Sequence, residues 1–401
     1  MRGPYFLELA NEQEAERLFQ KIGCDWRGSQ IMLAKSRIIP LFLKEVKSPG
    51  ANILKQQMLS LGGEAVVGRG VVNCSQEYSD VLLLGTVKEY ELLVEKIIRQ
   101  PWGLNDLGER IKTLLGNLER KKSVTWEWPG RKLVLGEKVL VMGILNVTPD
   151  SFSDGGKFVE TSQALEHAWE MVEAGADIID LGGESTRPGG LPVSATEELK
   201  RVLPVLEKLL QEIPVPLSLD TYKAAVAEEA LAVGVQIIND VGGGLKDPRM
   251  AEVAARFQAP VIIMHNPGKV TYQDLIPDLV DSLSEQVRIF EEAGLPAEKI
   301  VIDPGVGFGK DYQENLVVMK NLQSLCTLGK PVLLGVSRKS FIGKTLDLPV
   351  TDRLEGSLAA AAWGVLNGAD ILRVHDVRET VRLVKVLEAI KTEGVSGEGI
   401  R

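Results

Sequence analysis

From about residue 139 onward, short apolar runs rich in β-branched residues alternate with longer segments of helical periodicity. The runs fall at 139–145, 177–181, 215–219, 235–238, 260–264, 299–302, 331–336 and 369–374. Each is almost continuously apolar rather than alternating, which is the pattern of a parallel strand buried on both faces. After the first run, Leu165, Ala168, Trp169 and Val172 recur at helical spacing, and Gly175 stands where a left-handed cap would end that helix. Ser194 and Glu197 form a capping-box pattern that opens another helix, with Val202, Leu206, Leu209 and Leu210 facing inward. Eight strand–helix units of this size predict an α/β fold, a closed (β/α)8 barrel of the TIM type. An open doubly wound sheet is the alternative that the pattern leaves.

Residues 1–120 follow a different pattern. Segments 10–22 and 88–100 read as helices and 64–73 and 80–86 as strands, with turn material at Gly62-Gly63 and 75–79. They predict a small α/β N-terminal domain that precedes the barrel. The charged run Glu119-Arg120-Lys121-Lys122 introduces a linker over 121–130, and the barrel is assigned to 131–395.

The net charge of −9, with no basic block, excludes the usual nucleic-acid and anionic-membrane binders. An anionic substrate would have to be held by local positive charge. Cys24, Cys74 and Cys326 are scattered and odd in number, which argues against a disulfide framework or a cysteine zinc site and fits a reducing cytoplasm. The first residues lack the apolar core of a signal peptide, and no run reaches the ~18 apolar residues of a membrane span.

In a (β/α)8 barrel the chemistry sits at the carboxyl ends of the strands and in the loops that follow. Those positions hold Asn146 and the 148–156 loop, the 182–190 loop, Asp220, Asn239, Met264-His265, Asp303, Ser337-Arg338-Lys339-Ser340, and Arg373 with His375. Each alone has an ordinary explanation. Asp220 or Asn239 could cap the next helix, His375 or His167 could be a satisfied, partly buried side chain, and Lys339 a surface lysine or a Schiff-base lysine. Their gathering at one barrel face is harder to explain that way. Asp220, Asn239 and Asp303 are the groups that pair with a flat heterocycle bearing amidine-like N–H groups. Arg187, Arg373 and His375 would form a cationic cluster for phosphate oxygens, and Asn146 with the loop carboxylates offers hard oxygen donors for Mg²⁺. The glycine-rich loops after the first two strands are expected to close over substrate.

The stretches N-V-T-P-D-S-F-S-D-G-G at 146–156 and D-L-G-G-E-S-T-R-P-G at 180–189 resemble two signatures of the dihydropteroate synthases. So do S-L-D-T-Y at 218–222, I-N-D-V at 238–241, M-H-N at 264–266, D-P-G-V-G-F-G-K at 303–310, S-R-K-S-F-I-G at 337–343 and R-V-H-D-V at 373–377. The resemblance runs over roughly 131–395 in the family's order and leaves residues 1–120 without an assigned role. It implies condensation of a pterin diphosphate with p-aminobenzoate, diphosphate departing first. In that scheme Asp220, Asn239, Asp303 and Lys339 bind the pterin, with Met264 and Arg373 against its faces. Arg187, Arg373, His375 and Asn146 hold the diphosphate, Asn146 near Mg²⁺. Thr186, Pro188, Phe152, Phe308, Lys339 and Ser340 line the p-aminobenzoate pocket, and Asp150 and Asp154 belong to the first loop. A homodimer is expected by analogy. The competing readings are a methyltetrahydrofolate:corrinoid methyltransferase, which would not need the diphosphate cluster, and a non-catalytic pterin-binding protein.

Overall fold

The computed structural model describes residues 9, 12–119, 123–147, 157–184, 193–268 and 271–393. The chain divides into two compact units, 1–120 and 121–401.

In the first unit, α1 (Glu12–Ile22) and α2 (Trp26–Leu33) precede β1 (Ile39–Lys47), α3 (Ser48–Leu61), β2 (Glu64–Val67), β3 (Tyr78–Gly85), α4 (Val87–Ile97) and α5 (Leu104–Glu119). The strands form an antiparallel sheet in the order β1-β3-β2. Leu41, Val81 and Leu83 of the sheet pack with Leu54 and Met58 of α3 and with Tyr90, Leu93 and Ile97 of α4. The buried Tyr90 hydroxyl lies 2.6 Å from Ile39 O and 3.0 Å from Leu83 O, sharing its one hydrogen between carbonyls of two strands. The strand expected over 64–73 ends at Val67, because Gly68 and Gly70 lead into a 3₁₀ turn at Arg69–Val71.

The second unit opens with a hairpin, β4 (Val124–Trp128) and β5 (Arg131–Leu135), turned at Pro129 and a left-handed Gly130. Residues 124–128, assigned above to a linker, are therefore a strand: Trp126 and Leu133 face one another in its register and are buried. The Arg131 guanidinium donates to Leu210 O and Ile213 O, two carbonyls at the end of a barrel helix.

The barrel strands are β6 (Leu140–Asn146), β7 (Ile178–Gly182), β8 (Leu217–Asp220), β9 (Ile237–Asp240), β10 (Val261–Met264), β11 (Ile300–Asp303), β12 (Leu333–Leu334) and β13 (Ile371–Val374). The helices are α6 (Lys157–Ala174), α7 (Ala195–Glu212), α8 (Ala224–Val233), α9 (Arg249–Phe257), α10 (Leu275–Glu292), α11 (Tyr312–Lys320), α12 (Ser340–Leu346), α13 (Leu354–Leu366) and α14 (Val377–Glu393). All eight strands pair in parallel, in the order β11-β10-β9-β8-β7-β6-β13-β12. A parallel bridge from Ile302 to Val332, with Ile302 N–H donating to Pro331 O, closes the ring between β11 and β12. The barrel excludes the open doubly wound sheet. Its lower interior is a separate apolar cluster of Leu140, Met142, Ile178, Ile237, Ile262, Val301, Leu333 and Ile371, covered by Trp126, Leu133 and Leu135. Gly175 takes φ +102, the left-handed cap read from its position. Among the described residues, no helix is long and apolar enough to cross a membrane.

Candidate active site

Strand register alone brings the first polar groups together. Asn146 pairs with Gly182, Gly182 with Asp220, and Asp220 with Asn239, which makes one rung at the carboxyl ends of four strands. Met264 pairs with Asp303 on the far side. Arg373 of β13 crosses the interior: its Nε donates to Asp180 Oδ2 at 2.6 Å and its Nη2 to Asp220 Oδ2 at 2.7 Å. Asn239 Nδ2 donates to the same Asp180 oxygen at 3.0 Å.

Two buried carboxylates therefore share one guanidinium. The second oxygens, Asp180 Oδ1 and Asp220 Oδ1, are buried without a hydrogen-bond partner. A native structure rarely leaves such acceptors unpaired, so they are poised for N–H groups of a ligand. Burial pushes the Asp220 carboxyl up to about 7 against the pull of Arg373, with Asp180 and Glu198 adding to the rise. Asp303 is raised as well, by burial, although Gly305 N–H donates to its Oδ1 at 2.7 Å and Lys339, Lys310 and Arg373 oppose the shift.

Lys339 lies one strand further round, its Nζ 4.0 Å from the Phe308 ring centroid, the distance of a cation–π contact. Arg338, just before it, is held in a left-handed backbone at φ +58. Its guanidinium grips Asp376 at 3.1 and 2.5 Å, and Arg353 donates to Arg338 O. The loops after β12 and β13 are thus fastened together, which places Lys339 and His375 in a fixed relation. His375 Nδ1 meets Ser337 Oγ at 3.1 Å.

Asp220, Asn239, Asp303, Met264 and Arg373 converge as expected. In this structure Arg373 engages two carboxylates, Asp180 and Asp220. Ser340 is exposed at the start of α12. Asp150, Phe152, Asp154, Thr186, Arg187 and Pro188 lie outside the described residues. His167 is not a partly buried group but an exposed one, paired with Glu170.

Three groups went unassigned by the sequence. Asp180 is fully buried inside an otherwise apolar strand, and a carboxylate in the middle of such a run was its signal. Lys223 bridges Glu184 and the buried Glu198. Lys310 ends the D-P-G-V-G-F-G-K stretch at 303–310, which marked the position but gave it no role.

The (β/α)8 barrel carries two carboxylates, an amide and an arginine at its mouth, and the pterin binding enzyme family model matches residues 142–375. The chain belongs to the dihydropteroate synthase family within that class. It is 53% identical over 258 residues to the dihydropteroate synthase of Bacillus subtilis, covering 64% of this chain and 90% of that one. A solved structure of the Xanthomonas albilineans dihydropteroate synthase with 4-aminobenzoic acid has a TM-score of 0.65 and 42% identity, covering 67% of this chain and 99% of that chain. A probable bifunctional folylpolyglutamate synthase/dihydropteroate synthase of Halobacterium salinarum is 42% identical over 357 residues, 86% of this chain and 42% of its own length. That share exceeds what residues 121–401 contain, so this likeness reaches into the first unit. The activity is dihydropteroate synthesis in folate biosynthesis, a transferase reaction.

Proposed function

We propose a division of that reaction among named side chains. The pterin ring enters between Met264 and Arg373, and its N–H groups meet the unpaired oxygens of Asp180 and Asp220 while Asn239 and Asp303 complete the edge. The observation that carries this reading is the shared Arg373, which holds two carboxylates at the mouth with one oxygen of each unpartnered. Lys339 caps the ring and, with Phe308 and Ser340, faces the arylamine. Thr186, Pro188, Phe152, Asp150 and Asp154 complete that pocket by resemblance.

His375, Arg187 and Asn146 would hold the leaving diphosphate. Among the described residues no cluster of three or more metal-ligating acidic, cysteine or histidine side chains exists. Asn146 fits Mg²⁺ in another way, as one neutral oxygen donor for an ion that arrives with diphosphate oxygens and water. Gly182 keeps that oxygen accessible, since a Cβ there would lie 3.3 Å from Asn146 Oδ1. Mg²⁺ would neutralise charge on the departing diphosphate.

Departure leaves a cation delocalised over the pterin, and the arylamine, already neutral, attacks the exocyclic carbon and then gives up one N–H proton to the departed diphosphate or to solvent. The protein orients both partners and stabilises the leaving group. No strong base is required. The test is diphosphate release from pterin diphosphate with and without p-aminobenzoate. Release dependent on Arg187 and His375, with both alanine variants folded, supports the assignment, and full activity in both removes it.

We further propose that residues 121–401 contain the whole site. The Bacillus relative is matched over 90% of its length by 258 residues of this chain, fewer than residues 121–401 hold, which supports this. A protein beginning at Ser123, so that it keeps Trp126 and its hairpin, is expected to fold and turn over. A folded but inactive product would assign the first unit to the site. Exposed Trp363 and Leu366 on α13 and Val386 and Ile390 on α14 form an apolar outer face that suits a homodimer, which sedimentation would weigh directly. Three free cysteines agree with a reducing cytoplasm.

A further inference from the structure

The turn after β11 is built to lie on another backbone. Gly305, Gly307 and Gly309 take φ +65, +83 and +60. A Cβ on Gly305 would fall 2.1 Å from His265 O, and one on Gly309 would fall 2.2 Å from Gly268 O. Only glycine permits both the dihedrals and the approach. His265 N–H donates to Asp303 O at 2.9 Å, so the segment after β10 and this turn form one layer.

Such an approach crowds carbonyl oxygens together, which needs a donor among them. Lys310 supplies it. Its Nζ reaches Gly305 O at 3.1 Å, Phe308 O at 3.2 Å, His265 O at 3.4 Å and His265 Nδ1 at 3.0 Å. An ammonium has three hydrogens, so these four acceptors use all of them, one shared. His265, only 2% exposed, must accept through Nδ1 and is therefore neutral, consistent with burial and Lys310 pushing it down to about 3. Asn315 of α11 fixes the turn from the other side, accepting from Gly307 N–H at 2.6 Å and donating to Lys310 O at 3.1 Å.

We infer that Lys310 is a positioning residue for the transfer: its ammonium clamps the Gly305–Gly309 turn to the end of β10 and thereby holds Phe308 under Lys339. The inference rests on the proposed placing of p-aminobenzoate against Phe308 and Lys339. A displacement of that ring by about 1 Å is enough to cost one to two orders of magnitude in a bimolecular transfer. Burial lowers Lys310 to about 8, opposed by Asp303 and Glu314 and reinforced by Lys339. Asp278 and Tyr272 complete the groups around His265. The clamp therefore weakens as pH rises through about 8.

The test uses the full chain and its Lys310→Met and Lys310→Arg variants, with thermal melting and steady-state kinetics in each substrate. Lys310→Met is expected to raise KM for p-aminobenzoate about tenfold or more at a temperature where it remains folded. Lys310→Arg, which keeps its charge, should recover most of that and abolish the alkaline rise in the arylamine KM, because a guanidinium does not lose its proton in this range. An unchanged arylamine KM in folded Lys310→Met overturns the inference. Should that variant not fold, the wild type decides: an arylamine KM flat to about pH 9.5 overturns it, and a rise above about pH 8 supports it. Wild-type diphosphate release, measured alongside, tests the placing of the reaction separately.

Discussion

The two ends of one barrel hold opposite kinds of interior. At the lower end, Leu140, Met142, Ile178, Ile237, Ile262, Val301, Leu333 and Ile371 meet under Trp126, Leu133 and Leu135, and the one polar atom of Trp126 is satisfied by Glu298 O at 2.9 Å. A few residues further along the same strands stand Asp180, Asp220, Asn239, Asp303 and Arg373, with buried acceptors left unpaired. Burial at the lower end stabilises at roughly 25 cal/mol per Å² of apolar surface. Burial at the upper end opposes folding, because each carboxylate loses water and recovers only part of it from Arg373. One end holds the barrel together and the other is held open for a ligand, so substitutions at the two ends should separate stability from turnover.

The largest separation is expected at Asp220. Asp220→Asn removes one of two carboxylates that repel each other, leaves Arg373 its partner Asp180, and should not lower the unfolding free energy at neutral pH. It should lower kcat/KM at least about 10³-fold, because an amide has one oxygen and would turn its NH2 group toward either Arg373 or the N–H groups of the ligand. Denaturant melts and steady-state kinetics on one preparation check both halves, and parallel losses would break the comparison. The reverse pattern is expected at the lower end. Trp126→Ala should destabilise by about 3–5 kcal/mol and leave the kcat/KM of folded protein within about threefold of wild type. A collapse in turnover without loss of stability would contradict it.

Between these extremes stands Arg338. Arg338→Ala frees the loops after β12 and β13 from one another, and KM for both substrates should rise about tenfold with a small stability change. Arg338→Lys should rescue little, since the grip on Asp376 uses the guanidinium fork.

The smallest effect concerns pH. Asp220 holds its proton more tightly folded than unfolded, so it costs stability as pH rises from about 4 to about 7, and Asp220→Asn should flatten that slope. Binding runs the other way, because only the carboxylate accepts at both oxygens. Pterin affinity should fall severalfold from about pH 8 to about pH 6 in calorimetry. No change over that interval would mean that Arg373 keeps Asp220 ionised throughout.

Much of this was legible along the chain for a definite reason. A parallel barrel sends every strand's carboxyl end to the same face, so polar residues that end apolar runs are collected there without further information. Asp220, Asn239, Asp303 and Arg373 were found in that way. Asp180 was not, because it lies inside its run and only the strand's position in the ring decides that an interior carboxylate meets Arg373. Strand β1 and helix α3 were missed because a half-buried strand followed by Ser48-Pro49-Gly50 has the composition of a loop, although Pro at a helix start is favourable.

By itself the sequence determined the order and type of the barrel elements, the set of strand-end groups and the family, since these depend on local periodicity and on motifs read in order. Only the tertiary structure decided that Trp126 seals the barrel rather than sitting in a linker, because its partners lie on seven strands spread from Leu140 to Ile371. It also decided which oxygens remain unpaired and which lysine reaches four acceptors at once. Those are distances between residues far apart in the chain, and no local pattern encodes them.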